Sequence, residues 1–145
     1  MRALLALVTL ALVTACANQP QPSPEALATS LDRPYYGEAS DAAKAARIDY
    51  RVLMQRAIKK DLVALRRLIH LCTNRHFDGA AAEVHAQCLR DLLTLWGDVP
   101  FAAVLHDLSA AERQELRWVF SDAFYRRFPN SYPTTARVVY ATREA

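Results

Sequence analysis

Glycine is scarce in this chain, with three in 145 residues at Gly37, Gly79 and Gly97. They cannot supply a phosphate-cradling loop or a Gly-x-Ser-x-Gly turn. β-Branched residues are sparse, which argues against a sheet, whereas the dominant alanine, leucine and arginine suit helices. Cysteine occurs only at Cys16, Cys72 and Cys88. No Cys-x2-Cys or His-x3-His spacing joins these to His70, His76, His85 or His106, so neither a metal nor another cofactor is expected. Charge is nearly balanced at +3, which gives no reason to expect a nucleic-acid partner. Long apolar runs are missing after Ala17. A bilayer-spanning helix needs about 20 apolar residues, and the N-terminal run stops at Asn18-Gln19-Pro20-Gln21-Pro22.

That first run is the most informative part of the sequence. Met1-Arg2 gives a short positive start, Ala3 to Val13 is almost wholly apolar, and small Thr14 and Ala15 lead into Cys16. This is the layout of a secretory signal. With Cys16 placed directly after Val13-Thr14-Ala15, it resembles the lipobox signal of bacterial lipoproteins. The resemblance implies a signal peptide over residues 1–15, cleavage after Ala15, diacylglycerol on the Cys16 thiol and acylation of the new amine by a palmitate-type chain. Several chains together anchor stably, at about 0.8 kcal/mol per buried methylene. Ala17 is not the aspartate that commonly retains such proteins in the inner membrane. By resemblance, the expected location is the cell envelope, on the periplasmic face of the outer membrane.

Removal of the signal leaves about 130 residues, enough for one domain with a real core. Residues 16–40 read as a lipidated cysteine followed by a tether. Pro20, Pro22, Pro24 and Pro34 interrupt helix formation, and as a coil the segment reaches roughly 25–30 Å. Tyr35 and Tyr36 mark where it first touches the domain.

Residues 41–128 read as an all-α domain, a compact bundle of about five helices. Ser40-Asp41 opens the first, which continues to Lys59 with Ala46, Tyr50, Leu53, Met54 and Ala57 inward. Asp61 caps a second, carrying Leu62, Leu65, Leu68, Ile69 and Cys72. After a polar break, Asp78-Gly79 opens a third helix striped by Val84, Cys88 and Leu92 and stopped at Gly97. Asp98 starts a short fourth helix with Pro100 in its first turn. Ser109-Ala110-Ala111-Glu112 is a capping box for a fifth, with Leu116, Val119, Phe120 and Phe124 on one side. Phe128-Pro129 ends it, and the tail over 129–145 reads as either extended strand or short helix. Asp61, Leu62, Leu65, Leu68 and Leu71 also align with Asp98, Val99, Ala102, Leu105 and Leu108. This echo of helix-turn-helix pairs resembles HEAT-like repeats.

Two features invite chemistry. Cys72 and Cys88, in an exported domain, read as a disulfide worth about 3 kcal/mol or as two buried free thiols. Lys44, Arg47, Arg51, Arg56, Lys59, Lys60, Arg66 and Arg67 face only Asp49 and Asp61. They read as a surface for anionic lipid, cell wall or an acidic protein, or as an ordinary solvated face. Asp107, Glu112 and Glu115 read as a solvated helix face, with Glu112 engaged in capping. No catalytic residue stands out, and the protein is not expected to be an enzyme. The expected function is a membrane-anchored envelope lipoprotein whose helical domain binds a protein partner, with an immunity or inhibitor lipoprotein as one concrete form. The alternatives are a structural or assembly role through the basic face, and a cryptic hydrolase.

Overall fold

Ser23 and Pro24 start a helix well inside the stretch read as a tether. In the computed structural model, which describes residues 22–32, 36–73, 77–124 and 128–141, helix α1 spans Pro24–Ser30. Ser23 Oγ accepts from the Ala26 amide at 3.1 Å, and Pro24 sits in the first turn, where a missing N–H goes unused. Leu27, Leu31 and Tyr36 are buried. Helix α2, Gly37–Ala45, follows and buries Ala39 and Ala43. The expected tether over 16–40 is corrected accordingly: Pro24–Ser30 and the stretch from Gly37 onward are helical and contribute to the core. Proline here starts a helix rather than preventing one.

The single helix expected from Asp41 to Lys59 is two. Arg47 takes a left-handed φ of 59°, the Ile48 amide closes onto the Ala43 carbonyl, and α3 restarts over Tyr50–Ile58. Asp49 caps it, accepting from the Val52 amide at 3.0 Å. Ser40 and Asp41 therefore lie within α2 and do not cap it. Helix α4, Leu62–Thr73, begins where expected because Asp61 Oδ1 accepts from the Val63 and Ala64 amides at 2.9 and 3.1 Å. Leu62 is half exposed instead of inward, so the buried stripe begins with Ala64 and Leu65.

Helix α5 spans Gly79–Trp96 and buries Val84, Cys88 and Leu92 as the periodicity requires. Gly97, at φ 84°, ends it in a conformation that favours glycine. Helix α6, Asp98–Val104, and α7, Ala110–Phe124, follow. The capping box at α7 is made: Ser109 Oγ accepts from the Glu112 amide at 3.2 Å, and Glu112 accepts from the Ser109 amide at 2.7 Å. The described part of the tail is mostly helical, as one turn in α8, Phe128–Ser131, and as α9, Pro133–Tyr140.

The protein is thus an all-α bundle with more helices than the five expected, and no strand among the described residues. Helix α3 packs on α4, α5 and α4 pack on α7, α2 packs on α5, and α9 closes over α6 and α7. Met54, Leu65, Leu68, Ile69, Leu89, Leu92, Phe101, Leu116 and Phe120 are almost fully buried. Burial of each such side chain is worth about 1.5–3 kcal/mol. Phe120 stacks on Phe128 with centroids 4.8 Å apart, which draws the C-terminal segment into the same core.

Candidate functional site

The polar interior centres on His85. Its Nε2 lies 3.0 Å from the Leu68 carbonyl. A carbonyl only accepts, so Nε2 carries the proton and Nδ1 is left as acceptor. The Tyr50 hydroxyl, 2.8 Å from Nδ1, donates to it. Phe77 stacks on the imidazole at 4.5 Å and meets Tyr50 edge-on at 5.9 Å. The Cys88 thiol lies against the same phenol. Burial holds the His85 pKa down at about 4 and pushes Cys88 up to about 12. Burial likewise raises Cys72 and Tyr50. Every member is neutral at physiological pH, and a protonated thiol is a poor nucleophile. The cluster ties α3, α4 and α5 together.

Cys72 and Cys88 are free thiols in the structure, not the disulfide that export suggested. Cys72 sits near the C-terminal end of α4, while Cys88 lies in the third turn of α5 with its sulfur engaged at Tyr50. The lipobox residues Val13, Thr14, Ala15 and Cys16, together with His76, lie outside the described residues. Among the described residues, no three His, Cys, Asp or Glu side chains gather as metal ligands, and no helix is long and apolar enough to cross a membrane.

Two of the three carboxylates at α7 and its approach have separate partners, and the third, Glu115, is half-buried on α7. Asp107 pairs with Arg66 at 2.7 Å, and Glu112 holds His70 Nδ1 at 2.8 Å besides capping α7. Burial acts to raise the Glu112 pKa, but the Ser109 hydrogen bonds and His70 outweigh it and hold the carboxyl below its usual range. Shallow cavities open between the described residues. One of about 300 Å³ is lined by Ser40, Lys44, Arg47, Ile48, Asp49 and Tyr50. Another, of about 340 Å³, lies between α1 and α5 and includes Pro22, Tyr36, Arg90 and Asp91. Neither is lined by a histidine or a glutamate.

The surface offers more. Trp118, on α7, is 69% exposed, an unusual place for so large an apolar ring. One residue back, Arg117 donates to the Val139 carbonyl at 2.9 Å. Its guanidinium stands over the Tyr140 ring, 5.5 Å from the centroid. Ser121, one turn beyond Trp118, reaches the Tyr140 hydroxyl at 3.4 Å, and Gln114, one turn before it, accepts from Arg117 at 3.0 Å. Helix α7 and the end of α9 thus present a tryptophan, a tyrosine and an arginine on adjoining positions, the residue types enriched at protein interfaces. The sequence reading passed over Trp118 because it falls outside the Leu116–Phe120 stripe. Its position opposite that stripe was the available signal. A comparison of the chain with protein-family models, curated proteins and solved structures finds no match.

Proposed function

We propose that this protein is a lipid-anchored envelope protein whose helical domain binds a protein partner, with the Trp118–Tyr140–Arg117 face as its contact. The anchor part rests on the lipobox resemblance at Cys16. The binding part is carried by one observation, the 69% exposure of Trp118 beside a braced tyrosine and arginine. Interface hot spots concentrate in such side chains, and truncation of one costs about 2–4 kcal/mol of binding. Arg117 and Tyr140 hold each other in place before any partner arrives, which lowers the ordering cost of association. A toxin or hydrolase in the periplasm is a concrete form of partner, as for an inhibitor lipoprotein.

The test compares the full-length chain with its Trp118→Ala variant as baits in detergent-solubilised envelope, reading captured proteins by mass spectrometry. Trp118 packs outward, so the variant keeps its helical circular dichroism. One stoichiometric partner held by the parent chain and lost from the variant is the expected result. Identical captures from both baits would overturn the assignment of this face.

A further inference from the structure

We infer that the corner joining α3 to α4 is a docking face for an anionic phospholipid surface, separate from the Trp118 face. The two helices bury Leu53, Met54, Ala57, Leu65, Leu68 and Ile69 between themselves and the bundle. At the corner, however, Leu62 is 48% and Val63 61% exposed. Val99, in the first turn of α6, is 66% exposed. It belongs to the same end of the bundle, since Lys60 reaches across to the Leu95 carbonyl and lies over the Trp96 ring at 5.3 Å.

Single exposed aliphatic residues are ordinary. Here they coincide with an excess of cations. Arg56 is paired with Asp61, and Arg66 with Asp107. The side chains of Lys59 and Arg67 are exposed and, among the described residues, make neither an ion pair nor a hydrogen bond. The ammonium of Lys60 meets a carbonyl and a ring, not an acid. Arg66 and Arg67 stand one turn above Leu62 and Val63 on the same helix. The pattern is aliphatic residues at a projecting corner, flanked by long cationic side chains and lacking a free carboxylate. Long cationic side chains lie along apolar surface and keep their heads polar, and each basic residue near an anionic leaflet favours association about fivefold. Neither cavity described above is lined by these residues, so a flat surface suits the corner better than an inserted peptide. Pro22, the first described residue, shares a cavity with Arg90 and Asp91, which lie about one turn before Leu95 along α5.

The test reconstitutes the full-length chain in vesicles of phosphatidylcholine alone or with an anionic fraction of phosphatidylglycerol, then follows amide hydrogen exchange over residues 59–67. Exchange is expected to slow several-fold on the anionic vesicles only. The protection should disappear in high salt and in the Lys59→Glu/Arg67→Glu double variant, whose substitutions are on the surface. Equal exchange on the two vesicle types would overturn the proposal. So would equal protection on both, which marks a purely apolar contact or a second copy of the chain. The intact mass of the same preparation reads acylation at Cys16, so loss of the docking face and loss of the anchor are separate results.

Discussion

His85 shows how one buried side chain makes stability depend on pH. Its imidazole accepts from Tyr50 and donates to Leu68 only while neutral, and burial holds its pKa at about 4 against 6.5 for the free group. Between those values the unfolded chain binds a proton that the folded chain refuses. Stability therefore rises with pH across that window and is lost as pH falls from about 6.5 toward 4. The full swing is about 3 kcal/mol. Urea midpoints measured from pH 7 down to pH 4 should fall accordingly, and His85→Gln should flatten the profile. An unchanged slope in that variant would assign the acid sensitivity to other groups. Periodicity placed His85 beside the Val84–Cys88 stripe, but it could not place Tyr50 and Leu68 around the ring. Those partners arrive from other helices, 35 and 17 positions away.

At the scale of elements, the legible features are those whose partners are close in sequence. Asp61 caps α4, Ser109 and Glu112 cap α7, and Gly97 ends α5 through contacts within four residues, so spacing alone exposed them. Asp98 starts α6 as its spacing predicts, but spacing did not expose the second partner of its side chain. Its carboxylate accepts from the Thr134 and Thr135 amides at 2.7 Å each, and so caps α9 from 36 residues away. Burial acts to raise its pKa, yet these bonds outweigh it and hold the carboxyl below its usual range. The tail could not be read as helix from its own residues because half of its start signal lies on α6. Asp98→Ala should cost about 0.5–2 kcal/mol of stability and speed hydrogen exchange over 133–140, leaving α4 protected. Asp61→Ala should fray α4 and spare α9. A common pattern of exchange in the two variants would refute separate roles for the two aspartates.

For the whole molecule, the decisive difference between expectation and structure lies at the N-terminal side. Prolines at 20, 22, 24 and 34 suggested a long spacer, but Leu27, Leu31 and Tyr36 are in the core, and Ser23 caps a helix over Pro24–Ser30. Seven residues, from Cys16 to Pro22, separate the expected anchor from that helix start, against 25 in a tether running from 16 to 40. On the proposed anchor at Cys16, the domain would be held closer to the headgroups than a tether running to Ser40 would hold it, which favours the proposed docking of the α3–α4 corner. Linker length then sets the strength of docking. Insertion of ten Gly/Ser residues after Ala17 lengthens the spacer from about seven to about seventeen residues, lowering effective concentration roughly fourfold by the −3/2 power of length. Exchange protection over 59–67 on anionic vesicles should weaken by that factor, while acylation and helix content stay as in the parent chain. Protection insensitive to the insertion would mean that the corner binds lipid without help from the anchor, and that the short spacer serves the Trp118 face instead.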